Sequence, residues 1–339
     1  MRLLPLSSAS HRLASLSLSF ALHVSHYPLS PKHYSTIGRA FSAFGSVGKL
    51  DFGSGTSLRG FQTTSFDSQA AGDVYALPST PHGAGLNPIP LTAGQRYVTL
   101  GDIHGDLGAL GRMLKLAGVI SKSVPVTAEN VQEIEWTGGG TIIVQLGDIL
   151  DRGITELSCW KLLTSLGRQE EGLGEGGGVN LLFGNHEILN MLEVWNYVAP
   201  GGDNEFDAEF GGGVLQRQAD GTSGTRSLAM KPGTGLLVSP MLSSFNLALH
   251  VGSTIFVHGG LTSKHLKSGG GTIGAMNKGV REWVERDFKG DGRVMRRTLP
   301  GALGGGVASQ VSPIWMRDYS KPSGGSVGGA VSFMIEVSE

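Results

Sequence analysis

Residues 179–191 read VNLLFGNHEILNM. An apolar run, Val179, Leu181, Leu182 and Phe183, stops at Gly184, and Asn185, His186 and Glu187 follow at once. A short apolar run bounded by glycine predicts a buried strand. An amide, an imidazole and a carboxylate delivered together at its end predict a site rather than a simple turn. The same design recurs three times along the chain. RYVTL (96–100) runs into Gly101-Asp102-Ile103-His104-Gly105, and TIIVQL (141–146) into Gly147-Asp148-Ile149-Leu150-Asp151-Arg152-Gly153. STIFV (253–257) runs into His258-Gly259-Gly260.

Helical patterns separate these runs. Leu107, Leu110, Leu114 and Ala117 repeat at helical spacing, TELSCWKLLTSLGR (155–168) reads as a second helix, and ILNMLEVWNYV (188–198) as a third. Strand, loop and helix in repetition predict an α/β layered fold. In open α/β sheets ligands bind beyond the carboxyl ends of strands. Four such ends side by side would gather Asp102, His104, Asp148, Asn185 and His258 around one cavity. Carboxylate, imidazole and amide donors without thiolates suit Mn, Fe or Zn. The donors exceed what one ion needs, and paired divalent ions are the machinery of phosphate-ester hydrolysis. Arg152 adds a fork that matches phosphate oxygens.

Composition bounds the alternatives. The chain has 339 residues, one or two domains' worth, with 40% apolar residues, enough for a full core. A net charge of −1 gives no bulk grip on nucleic acid or anionic membrane. The single cysteine, Cys159, excludes an internal disulfide and reads as a buried thiol in a helix. No stretch approaches the length and apolarity of a membrane span, so a soluble mature protein is expected. The 54 glycines concentrate in loops and carry no phosphate-loop signature.

The first 50 residues contain no Asp or Glu and are rich in Ser, Leu, Arg and His, the composition of an organelle transit peptide or a disordered leader. Residues 51–90, Gly/Ser/Pro-rich with little periodicity, read as a linker, and residues 91–339 as the folded domain.

The order GDxHG, GDxxDRG, GNHE, HGG resembles the phosphoprotein phosphatases of the calcineurin-like metallophosphoesterase superfamily. GDILDRG, GNHEILNM, FNLALHVGSTIFVHGGL and PIWMRDYS are most similar to the Shewanella-like branch. The resemblance implies a four-layer α/β/β/α sandwich with ligands at strand ends. It implies that Asp102 and His104 hold one divalent ion, that Asp148 bridges two, and that Asn185 and His258 hold the second. It also implies that a hydroxide bridging the metals attacks phosphorus in line. His186 would protonate the leaving oxygen, oriented by Asp151. Arg152, Asn185 and Arg317 would bind the substrate phosphate, Glu187 would orient its loop, and His250 and His265 would be structural. The implied substrate is a phosphorylated protein or peptide. A dinucleoside-polyphosphate hydrolase shares these motifs.

The family carries one more metal-binding histidine after the arginine, and no histidine follows His265 here. A truncated reading of the gene is the favoured explanation, with an incomplete C-terminal part of the fold. Weakened metal binding, or a pseudophosphatase that binds phosphorylated partners without turnover, are the others. Residues 192–245 lack strand patterns and are expected to form a cap over the catalytic edge. The leader suggests the chloroplast, with the mitochondrion as the alternative.

Overall fold

A computed structural model describes residues 68–78, 88–211, 224–233, 235–287, 301–303 and 312–317. The leader read as a transit peptide lies outside them.

Four parallel strands form the main sheet in the order β1 (Tyr97–Leu100), β2 (Ile142–Gln145), β3 (Gly178–Leu182) and β4 (Phe245–Asn246). A second, antiparallel sheet pairs β5 (Ala248–Val251) with β6 (Thr254–Val257). The first three strands lie where their apolar runs place them. The fourth differs from expectation. STIFV does not join the parallel sheet; it is β6 of the second sheet, and the short β4 takes the fourth place beside β3. The chain breaks between β4 and β5 at Leu247. There the Asn277 side-chain oxygen accepts from Leu247 N at 2.8 Å and Ala248 N at 3.1 Å, satisfying backbone donors that leave one sheet for the other.

The two sheets stack face to face. Ile142, Val144 and Leu182 of the parallel sheet close a small core with Leu249, Val251 and Phe256 of the second sheet. The other face of the parallel sheet carries the larger core. Helix α2 (Leu107–Ala117) buries Leu107, Leu110, Leu114 and Ala117 there, the face set by its helical spacing. Asp106 caps its start through a 2.7 Å bond from Ala109 N, and Gly118 ends it in a left-handed conformation. Helix α3 (Glu156–Leu173) buries Trp160 and Cys159 completely, as the cysteine's helical setting predicted, and burial pushes that thiol upward in pKa.

Two expectations need correction. The stretch read as linker contains α1 (Ser68–Tyr75), whose Tyr75 is fully buried edge-on to Trp160, 5.3 Å between ring centres. Arg168 and Thr164 of α3 donate to the carbonyl of Val74, so this segment belongs to the folded unit. The helix after GNHE is short. Helix α4 (Asn185–Met191) begins on the motif itself and ends at Leu192, where Glu193 takes a positive φ of 57°. Trp195 and Tyr197 therefore lie on a turn beyond the helix.

The expected cap is a set of short elements among the described residues. One helical turn (Asn204–Phe206) runs into a π turn (Asp207–Gly211), and α5 (Gly224–Met230) and α6 (Val238–Ser244) follow. Helices α7 (Ser263–Ser268) and α8 (Ile273–Asp287) complete the order, α8 lying against β5. His265 sits buried at the start of α7 and accepts from Thr262 N at 3.2 Å, a structural role. No helix among the described residues is long and apolar enough to cross a membrane.

Candidate metal centre

The loops that leave β1, β2, β3 and β6 converge. The loop after β2 and the start of α4 touch so closely that neither tolerates a side chain at its glycine. A Cβ on Gly147 would fall 2.3 Å from Gly184 N, and one on Gly184 would fall 2.1 Å from Asp148 Oδ1. Glu187 holds the two loops together. Its carboxylate accepts from Asp148 N (2.9 Å), Ile149 N (2.8 Å), Leu150 N (3.2 Å) and Gly184 N (2.8 Å). This is the orienting role the sequence assigned to it. Burial and the nearby Asp148 push Glu187 up to about 7, while the backbone donors pull it down.

Backbone strain collects at the same place. His104, Asp148, Asp151 and Arg152 adopt positive φ angles of 50°, 58°, 67° and 66°. None of the four is glycine. Each left-handed residue of this kind costs on the order of 1–3 kcal/mol and persists where the surroundings fix it. Such a concentration marks a functional site.

Asp148 stands at the centre, buried, with its Oδ1 accepting from His186 N at 3.0 Å. Its Oδ2 faces three imidazoles: His258 Nε2 at 3.4 Å, His104 Nε2 at 3.7 Å and His186 Nε2 at 3.9 Å. Burial alone would raise Asp148, but those imidazoles outweigh it and hold the group well below the usual carboxylate range. His104 and His258 each turn Nδ1 to a backbone carbonyl, Leu150 O at 2.9 Å and Leu146 O at 2.8 Å, which aims Nε2 inward. A backbone partner on one ring nitrogen is how metal-binding histidines are oriented. Burial lowers the pKa of His104, which favours the neutral ligand form.

The residues fit a metal. His104 Nε2 is buried and has no hydrogen-bond partner, the state of a donor built for an ion. Donors held about 2 Å from a shared cation stand roughly 3–4 Å apart; His104 Nε2 lies 4.0 Å from Asp102 Oδ2 and 3.7 Å from Asp148 Oδ2, and His258 Nε2 lies 3.4 Å from Asp148 Oδ2. Two overlapping groups result, His104–Asp148–His186 and Asp102–Asp148–His258, with Asp148 common to both. Asp102 is the exposed member, its side chain 43% open at the mouth. Asn185 Oδ1 lies 3.3 Å from His258 Nε2, so the amide joins the second group.

The remaining site residues surround this cluster. His186 Nδ1 meets Asp151 Oδ2 at 2.6 Å, and its Nε2 lies 3.2 Å from Arg152 Nη2. Burial lowers His186, yet Asp148 and the Asp151 hydrogen bond win and raise it above its ordinary value. Arg317 Nη2 reaches Asn185 Oδ1 at 3.4 Å, so both expected phosphate-binding arginines arrive at the site. The structure gathers Asp102, His104, Asp148, Asp151, Arg152, Asn185, His186, His258 and Arg317 around one space.

Other neighbours were not foreseen. Tyr197 packs edge-on to His186, 4.9 Å between ring centres, and its carbonyl accepts from Arg152 N at 2.9 Å. Asn190 donates to Asp151 Oδ1 at 3.0 Å. For Asn190 the only available signal was its place one helical turn after His186.

Strand-end carboxylate, imidazole and amide donors beneath two arginines define a metallophosphoesterase. Residues 96–291 match the profile described as calcineurin-like phosphoesterase, and the chain belongs to that family. It is 31% identical over 255 residues to Shewanella-like protein phosphatase 2 of Arabidopsis thaliana, covering 67% of this chain and 59% of that relative. It is 34% identical over 105 residues to Shewanella-like protein phosphatase 1 of Plasmodium berghei, covering 31% of this chain and 26% of the relative. The chain thus spans less than two thirds of these relatives' length. A solved cold-active protein-tyrosine phosphatase of a psychrophilic Shewanella superposes with a TM-score of 0.41 at 20% identity, over 62% of this chain and 56% of that one.

Proposed function

We propose that this protein is a metal-dependent phosphatase of phosphorylated proteins or peptides. The observation that carries the reading is the buried Asp148 Oδ2 facing three imidazole nitrogens at 3.4–3.9 Å, a spacing suited to shared cations. Asp102, His104 and Asp148 would hold one divalent ion, and Asp148, Asn185 and His258 a second; Asp102 is 4.0 Å from His104 Nε2 and also groups with Asp148 and His258, so it stands within reach of either ion. When bound, such ions make hydroxide available near neutral pH and neutralise phosphoryl charge.

The side chains of this chain do the rest. Arg152 and Arg317 flank the donors and would clamp the phosphoryl oxygens, a charge-assisted task that suits the guanidinium fork. His186, raised in pKa and tied at Nδ1 to Asp151, keeps Nε2 directed at the same space as Arg152. From there it would give its proton to the departing oxygen as general acid. Asp151 fixes the ring and tautomer. Tyr197 packs edge-on against the His186 ring and would limit its movement. The names of the relatives support the protein-phosphatase reading over a dinucleoside-polyphosphate hydrolase.

The test compares phosphate release from phosphoserine, phosphothreonine and phosphotyrosine peptides with turnover of diadenosine tetraphosphate, each with Mn²⁺. Release from a peptide supports the reading. Turnover of the dinucleotide alone overturns it in favour of the second activity, and binding of phosphopeptide without release marks a pseudophosphatase.

A further inference from the structure

Behind the His186–Asp151 pair lies an arginine from the insertion. Arg226 of α5 has no solvent exposure. Its guanidinium grips Glu156 through Nη2 to Oε1 at 2.6 Å and Nη1 to Oε2 at 3.0 Å, and Asp203 through Nε to Oδ1 at 2.7 Å. The Phe206 ring lies 4.0 Å from the guanidinium carbon. Burying such a group is costly unless its donors are met. Here Nη2 also donates to Gly202 O at 3.0 Å, and Nη1 to Asn190 Oδ1 at 2.9 Å.

That last bond reaches the catalytic pair. With its oxygen taken by Arg226, the Asn190 amide must present its nitrogen on the other side. Nδ2 donates to Asp151 Oδ1 at 3.0 Å and to His186 O at 3.0 Å. Asp151 is then held at both oxygens, Oδ1 by Asn190 and Oδ2 by His186. Arg226 Nη1 itself lies 3.8 Å from Asp151 Oδ1. A clasp between insertion and α3 needs only the pair with Glu156. The bond to Asn190 satisfies the other Nη1 hydrogen and at the same time fixes which end of the amide faces Asp151.

We infer that Arg226 is a positioning residue for the hydrolysis. Through Asn190 it sets the rotamer of Asp151 and hence the direction of the His186 ring, so the insertion is coupled to leaving-group protonation. This rests on the reading of His186 as general acid given above.

The test uses the full chain with Arg226→Lys, Arg226→Met and Asn190→Leu. Asn190→Leu keeps the Arg226–Glu156–Asp203 cluster, so it remains informative if Arg226→Met does not fold. Lysine is a point charge without the fork and should fail in the same direction as methionine. Two readouts separate positioning from general damage. One is the ratio of kcat on phenyl phosphate, whose leaving group needs a proton, to kcat on p-nitrophenyl phosphate, whose leaving group scarcely does. The other is the downfield proton resonance of the His186 Nδ1–H bond, assigned by its loss in His186→Asn. We expect Asn190→Leu to lose about 10²-fold on phenyl phosphate, the scale of a misplaced catalytic group. The loss on p-nitrophenyl phosphate is smaller, and the resonance disappears while thermal unfolding stays cooperative. Equal losses on both esters with the resonance intact overturn the inference. If the wild type releases phosphate from neither ester nor from a phosphopeptide, the phosphatase reading fails, and the resonance alone decides the positioning role: lost in Asn190→Leu, it stands; retained, it falls.

Discussion

His186 Nδ1 lies 2.6 Å from Asp151 Oδ2, and Asp151 has no solvent exposure at all. A carboxylate this close and this dry fixes which imidazole nitrogen carries the proton at rest. It leaves Nε2 beside Arg152 as the nitrogen that the proposed general-acid role would use. Asp151→Asn keeps the size of the group and removes its charge. The variant should fold, bind substrate with an unchanged KM, and lose roughly 10²–10⁴ in kcat, the usual worth of general acid catalysis. Steady-state kinetics with phenyl phosphate check this, with a smaller loss on p-nitrophenyl phosphate, and a raised KM at unchanged kcat would contradict it.

Glu187 shows how a catalytic motif also serves the scaffold. Its two oxygens take four backbone N–H groups from the loops of Asp148 and Gly184. Glutamine offers one oxygen and would turn an amide N–H₂ toward two of those donors. Each buried donor left unmet costs about 1–3 kcal/mol. Glu187→Gln should therefore lose roughly 2–6 kcal/mol in urea unfolding by the same count, with weaker metal binding as the loops part.

The contact between Gly147 and Gly184 is tested by adding one carbon. Alanine at Gly184 would place Cβ 2.1 Å from Asp148 Oδ1 and 2.4 Å from Asp148 N. Asp148 must move to relieve that overlap. Overpacking of this sort costs about 1–3 kcal/mol, and here it also displaces the central donor. A lowered melting temperature together with reduced Mn²⁺ affinity is the expected pair of results. Full metal affinity in Gly184→Ala would show that the loops separate without consequence.

Metal should stabilise as well as activate. A ligand that binds only the folded state at a hundred times its dissociation constant adds about 2.7 kcal/mol. Melting temperature should rise with Mn²⁺ and fall back with chelator, while secondary structure persists because both cores are closed by apolar side chains and not by an ion. His104→Ala should blunt the rise, since it removes the imidazole nitrogen that has no other partner.

The site was more legible in the sequence than the fold around it. Each strand-end motif is local: the apolar run, the glycine and the donor lie within a few residues, so the chain itself records their proximity. The second sheet was not. STIFV has the apolar character of a buried strand in either sheet, and only the turn at Leu247, held by Asn277 thirty positions away, assigns it. Segment 68–77 hid for a related reason. Its small and polar residues show little periodicity, and burial of Tyr75 and Leu77 arises from contact with α3 and α6. Arg226 was the least legible. It sits in an irregular region, and its main partner, Glu156, is separated from it by 70 positions. No local pattern announces a pairing at that distance.

The central claim is that Asp148 joins two cation sites that drive phosphate release. The most direct test counts divalent ions per chain and phosphate released from a phosphopeptide, for the wild type and Asp148→Asn side by side. The account predicts that wild type binds up to two ions and releases phosphate, and that Asp148→Asn loses both together. Asp148→Asn that keeps the wild-type metal content and turnover would contradict it.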